Sequence, residues 1–370
     1  MIKNIKSLLL TLLLLLPATA ISQESTTNGG STAEPGTPPA EEKADGESSA
    51  ASEALKASKE EEEKKKSQGS AAEVIEKGGL IAGKFQVSLT ESYTHLQTNQ
   101  LYIEGFGILP IVVVGNIDVQ NVRRDIFSTV VGASYKLTNK LQVSINIPWQ
   151  YTMSSTSTAT GIQGRKSVAS SNEKTYQSAG LGDITVGMNY RLLGEGLHTP
   201  SLSGGLDFKA RNGRDFFETP DPVAHVPTGT GAYTLRGTLS ASKTSAPAVV
   251  FGSIGYGYNF SRENIAFTPA NSPAILIKSY EPGASFNLSA GVSLSLNYQL
   301  SLNWSVAEST NFASRVNGAV SPNTATNSIT FRMGGIWRLS PKTSIDLSLT
   351  TGLTNDAGGT TIALRVPWNY

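Results

Sequence analysis

Cysteine is absent from the 370-residue chain. That excludes disulfides, thiolate metal sites and an acylated cysteine anchor. Long apolar runs are missing too. Beyond residue 16 the longest is Ile108–Gly115 (ILPIVVVG), far short of the roughly twenty residues a membrane-crossing helix needs. Charge of one sign is also lacking. Thirty Lys and Arg face 29 Asp and Glu, so the formal charge is +1 and nothing in the bulk electrostatics favours nucleic acid. Histidine is scarce, with only His95, His198 and His225. They fall on an early strand, in a short turn and in a proline-flanked loop, so no Ser-His-acid set can be assembled from sequence position. The acids of Asp215–Asp221 match no defined calcium loop. The expectation is no enzyme, no cofactor and no metal.

What is present begins at the ends. Lys3 and Lys6 precede an apolar stretch, Leu8–Leu16, followed by Pro17 and Ala18-Thr19-Ala20. This is the pattern of a secretory signal peptide, with cleavage expected after Ala20. At the other end Ile362, Leu364, Val366, Trp368 and Tyr370 alternate with Ala363, Arg365, Pro367 and Asn369. Side chains on a strand point to opposite faces with period two, so this is a strand with one greasy face and aromatics at its last positions. A soluble β-sandwich would cover such an edge. An outer-membrane barrel turns it to lipid and seats the rings in the interfacial girdle, where the barrel-assembly machinery is expected to read them.

Three zones lie between. Residues 21–70 are rich in Ser, Thr, Ala, Gly, Pro, Glu and Lys, and cannot bury enough surface to offset ordering entropy. Within them Ser52–Lys66 favours a charged helix, with Glu61/Lys65 and Glu62/Lys66 spaced i,i+4 but without the apolar heptads of a coiled coil. Residues 71–81, with Ala71–Leu80 at their heart, read as a short helix serving as hinge or plug. From residue 82 to 370 the chain parses as strand pairs. Leu141, Val143, Ile145, Ile147, Trp149 and Tyr151 alternate with polar residues, and Phe127, Val131, Ala133 and Tyr135 form the partner face across a tight Leu137–Lys140 turn. Similar faces recur through Ile184–Tyr190, Leu202–Phe208, Tyr233–Leu239, Val250–Phe260, Phe286–Leu294, Leu300–Val306, Ile329–Trp337 and Ile345–Leu349.

The count is about twelve strands, and the connections alternate. Short turns fall near Leu137–Lys140, Gly194–His198, Thr244–Pro247, Asn297–Gln299 and Ser340–Thr343. Longer loops span Thr98–Val122, Ser154–Gly180, Asn212–Thr230, Ser261–Glu281 and Asn311–Ala325. Short periplasmic turns and long outer loops mark a single-chain outer-membrane barrel. The predicted fold is therefore all-β: a transmembrane antiparallel up-and-down barrel in the outer membrane of a Gram-negative cell, bathed in outer-membrane lipid.

The polar phase would line the lumen. Lys84, Lys136, Arg191, Lys209, Arg211, Arg236, Arg332, Arg338 and Arg365 fall on it, against fewer acids: Asp183, Asp207 and Asp346. Such an excess favours anions in a confined, water-filled channel; alternatively the charges pair with one another or with loop acids and only hydrate the wall. Arg236 and Arg332 are expected near mid-strand, as the charges that matter most for selectivity. Trp149, Tyr151, Trp337, Trp368 and Tyr370 are the expected girdle and assembly aromatics.

At Gly180-Leu181-Gly182-Asp183-Ile184, with Tyr190 and Arg191 closing the strand, the chain resembles the MetA-pathway of phenol degradation family. Glu104-Gly105-Phe106, Leu109-Pro110, Asp118-Val119, Arg123-Arg124-Asp125, Leu137-Thr138 and Pro148-Trp149 extend the resemblance over residues 76–370. It implies an outer-membrane transporter, a porin-like channel for small solutes, anionic or aromatic. A looser resemblance, to Fap-type secretion channels for functional amyloid, implies an exporter of unfolded polypeptide with a helical plug. A purely structural or adhesin-like barrel is the remaining alternative.

Overall fold

A computed structural model describes residues 83–98, 119–159, 172–218, 226–267, 275–321 and 324–370. All of these lie in one compact unit, residues 54–370. The expected signal peptide, low-complexity segment and plug helix lie outside the described residues.

Residues with alternating apolar and small polar side chains form the wall: β1 (Phe85–Thr98), β2 (Val119–Lys136), β3 (Leu141–Ala159), β4 (Asn172–Leu181), β5 (Thr185–Leu193), β6 (Ser201–Lys209), β7 (Thr234–Ser245) and β8 (Ala248–Asn259). Between the later wall strands, β9 (Arg262–Phe267) and β10 (Ile275–Glu281) precede β11 (Ser285–Ser295) and β12 (Leu300–Asn311). Then β13 (Arg315–Val316) and β14 (Ala319–Val320) precede β15 (Thr326–Ser340), β16 (Thr343–Gly352) and β17 (Thr360–Asn369). Every wall strand pairs antiparallel with its neighbour. The ring shuts where β1 meets β17, from Gln86 opposite Asn369 to His95 opposite Thr360. Tyr370 completes the seam: its backbone N–H donates to Phe85 O at 2.8 Å, and its carbonyl accepts from Lys84 N at 3.0 Å. Because β4 and β5 share one place beside β3, the barrel has twelve strands.

Closure pairs the first wall strand with the last, and an apolar exterior then needs no other cover than lipid. Val131, Ile147, Val186, Met188, Ile254 and Leu347 all stand exposed on the outer phase, whereas the inner phase carries Ser, Thr, Asn and Gly. The rings form two belts. Tyr93, Phe127 and Tyr151 touch in series, at 5.0 and 6.3 Å between centroids. At the opposite rim Phe85 lies 6.2 Å from Tyr370. Trp149 joins the outer belt, and Trp337 and Trp368 the inner one.

The five short turns expected from the sequence all lie at one end, which by the habit of such barrels is periplasmic. Two of them are tied together there. Lys243 Nζ donates to the carbonyls of Gly196 and Leu197 in the β5–β6 turn, while Glu195 accepts from Thr244 N at 2.7 Å.

The other end departs from expectation in two places. Ser261–Glu281 and Asn311–Ala325 are not simple loops: they carry β9, β10, β13 and β14, a separate four-stranded sheet. These strands are only two to seven residues long, too short for alternation to distinguish them from loop. Ser154–Gly180 is likewise shorter than expected as a loop, since β3 runs on to Ala159 and β4 starts at Asn172. There β3 is rich in Ser and Thr and β4 is mostly polar, so neither shows the apolar face that marks a membrane strand.

Candidate functional site: the barrel lumen

Three of the charged residues expected on the inner wall gather on adjacent strands. Arg332 on β15, Asp346 on β16 and Arg365 on β17 line a cavity of about 660 Å³ that also meets Phe251, Ser289 and Ser348. Arg332 Nη2 donates to Ser348 Oγ at 3.0 Å. Arg365 Nη2 donates to Gln86 Oε1 at 3.3 Å, and Gln86 Nε2 in turn donates to Asn369 Oδ1 at 2.7 Å. Asp346 stands opposite Arg365 in the ladder, and both line the same cavity as Arg332. Hydroxyls make up much of the rest of the lining, such as the Ser253–Ser289 pair at 2.7 Å. The cavity wall is thus one of small hydroxyls with a net positive cluster.

Arg191 on β5, also expected to point inward, lines the same cavity, whereas Asp207, Lys209 and Arg236 do not. Asp207, Lys209 and Arg236 lie on β6 and β7, separated from the first cluster by β8, β11 and β12, with Asp207 opposite Arg236. Arg236 is only the third residue of β7, at its outer end, and not at mid-strand as expected; the strand starts later than the apolar pattern from Tyr233 suggests. Arg332 is at mid-strand. Lys84 and Arg211, read as inward, instead lie over outward rings. Lys84 Nζ is 5.9 Å from the centre of Tyr135, and the Arg211 guanidinium 5.8 Å from that of Tyr233. Both are just beyond a strand end, where alternation no longer assigns a face.

Asp183 has a different setting from a wall charge. It occupies the break between β4 and β5, buried, and holds the connection from β6 to β7. Gly213 N donates to Oδ1 at 3.0 Å, and Thr230 donates to Oδ2 from its backbone N at 2.6 Å and its hydroxyl at 2.7 Å. Gly213 and Gly229 cross beside it so closely that a Cβ on Gly213 would lie 2.7 Å from the Gly229 Cα. Gly182 N bonds to Pro148 O at 2.8 Å and Thr228 Oγ1 to Leu181 O at 2.7 Å, so the motif Gly180–Asp183 closes the wall where a strand is interrupted.

Above the wall, Phe216 and Phe217 from the same connection pack with Ile265, Phe267, Ile277 and Tyr280 of β9 and β10. Arg262 caps this cluster: Nη1 is 2.6 Å from Asp215 Oδ2, and its guanidinium lies 5.3 Å from the centre of the Phe217 ring. Burial among these groups pushes the Tyr280 hydroxyl above its ordinary pKa. Asp215 of this segment is thus engaged by an arginine.

Two features were missed from the sequence. His95, for which sequence position alone places no acid partner, has Nδ1 2.7 Å from Asp125 Oδ1, which also accepts from the Tyr93 hydroxyl at 2.7 Å. The two strands bring together residues thirty apart, on the outer surface above the aromatic belt. Arg124 was overlooked as an inward charge, although its even spacing from Gly132 puts it opposite the Phe127–Val131 face.

The fold is similar to that of an outer membrane channel from Pseudomonas putida F1, at 13% identity and a TM-score of 0.54, over 78% of this chain and 97% of that one. Weaker likenesses are to the translocator domain of the autotransporter NalP from Neisseria meningitidis (10% identity, TM-score 0.43, 88% and 98% covered). A Pseudomonas aeruginosa FadL homologue follows at 12% identity and a TM-score of 0.37, with 78% and 91% covered. Residues 137–369, well over half the chain, match the family model for the MetA-pathway of phenol degradation, and the chain belongs to that family.

Proposed function

We propose that the protein is a passive outer-membrane channel for small solutes with a preference for anions. On this reading it is a conduit and not a catalyst, exported by the signal at residues 1–20 and assembled through its aromatic closing strand. The observation that carries the reading is the cavity of about 660 Å³ inside a closed wall, lined by hydroxyls and by Arg332, Asp346 and Arg365. An apolar exterior places that wall in lipid, and a polar interior has no use there unless water and solute enter it. Arg191, Arg332 and Arg365 against one aspartate leave the cavity net positive with a low-dielectric surround, which repels cations at short range.

Planar-bilayer recording of the full-length protein tests this directly. It should conduct, and in a potassium chloride gradient its reversal potential should show anion preference. The double variant Arg332→Ser, Arg365→Ser removes two of the three arginines that line the cavity with Asp346 and should lower the chloride-to-potassium permeability ratio by about twofold or more. A wild-type protein that inserts without conducting would overturn the channel reading.

A further inference from the structure

On the inner wall one buried guanidinium stands without a hydrogen-bond partner on two of its nitrogens, among the described residues. Arg124 on β2 is 3% exposed, and its Nε and Nη2 have no hydrogen-bond partner. Its neighbour across the ladder is Ser154 on β3, 1% exposed, whose Oγ is also unpartnered. Side chains directly opposite in an antiparallel pair stand about 5 Å apart at Cβ, so an oxygen placed between them can take bonds from both. The next residue in the same row is Tyr176 on β4, opposite Ser154, and the row begins with Leu96 on β1, opposite Arg124. All four share the inward phase.

A desolvated guanidinium without an anion is among the costliest arrangements a protein interior can hold. Its planar fork of donors matches a carboxylate in two-point geometry. The serine hydroxyl adds a third donor, while Leu96 and Tyr176 flank the pair with an apolar side chain and a ring. We infer that the row Leu96–Arg124–Ser154–Tyr176, on strands apart from the Arg332 cluster, is a binding site for the carboxylate of a small organic anion. The site rests on the channel reading only for how solute reaches it.

Benzoate and benzyl alcohol are suitable probes, since they share a ring and differ in the charged head. Equilibrium binding to the full-length protein in detergent should be at least about tenfold tighter for benzoate, and Arg124→Gln should erase that difference. Heat-modifiable gel mobility reports whether the variant is assembled. If Arg124→Gln does not assemble, Ser154→Ala is read instead: benzoate should bind about threefold more weakly, the loss of one hydrogen bond, with benzyl alcohol unaffected. Equal binding of the two probes by wild type, or a benzoate preference that survives substitution, overturns the site. A protein that prefers benzoate yet carries no current in bilayers overturns the channel and leaves the site standing.

Discussion

At the scale of single residues, the fate of a side chain is set by parity along its strand. Ile254 on β8 is exposed on the outer phase, and Ser253 next to it lines the cavity. The same substitution at the two positions meets opposite solvents. Ile254→Arg sets a charge in the apolar band and should cost about 2–4 kcal/mol near mid-depth; Ser253→Arg turns the guanidinium to water and should cost far less. Urea unfolding in lipid vesicles measures both, and equal losses would mean that the parity is misassigned. This parity was readable from the chain, and it holds for Arg124 as well as for Arg332. Pairing was not readable. His95 and Asp125 meet only because β1 and β2 align in one register, and a slip of one residue would send Asp125 to the other face.

At the scale of elements, the interruption between β4 and β5 shows what the Gly180–Asp183 motif is for. β5 pairs with β6, but β4 runs on beside β3 alone, and the connection from β6 to β7 covers its free side. Asp183 holds that connection through three hydrogen bonds to one carboxylate. Asp183→Ala removes their acceptor and leaves buried donors unsatisfied, a local loss of about 3 kcal/mol. The expected outcome is faster proteolysis within residues 212–230 from outside the cell, with the heat-modifiable mobility of the barrel unchanged. Cleavage at an unaltered rate would show that the aromatic cluster around Phe217 holds the connection unaided. The sequence marks the site by its glycines, yet a strand broken in two and a loop folded over the gap leave no trace in an alternation pattern.

At the scale of the whole molecule, the seam between β1 and β17 decides everything else, since an unclosed wall would present unpaired backbone to lipid. Tyr370 bonds β1 through its backbone and meets Phe85 through its ring. Tyr370→Ser keeps the backbone bonds and loses the aromatic pair, worth about 0.5–1.5 kcal/mol, together with an interfacial anchor. Less assembled, heat-modifiable barrel should accumulate, and whatever does assemble should conduct as before. Normal accumulation would place the assembly determinant elsewhere.

The amino-acid sequence alone determined the class of wall, the approximate strand number, the face each wall residue takes and the end that carries short turns. A strand's period of two and the residue types of tight turns act locally, whatever the partner strand. Tertiary structure decided which charges share a level. Arg365 meets Gln86, 279 positions away, and Arg236 lies at the rim and not at mid-strand. Such matters depend on register and stagger accumulated around the ring, a property of all twelve strands together that no one segment encodes. The outer sheet of β9, β10, β13 and β14 is decided in the same way. Its strands come from two connections and are held by Phe216 and Phe217 from a third, so its core exists only once the barrel has brought those connections side by side.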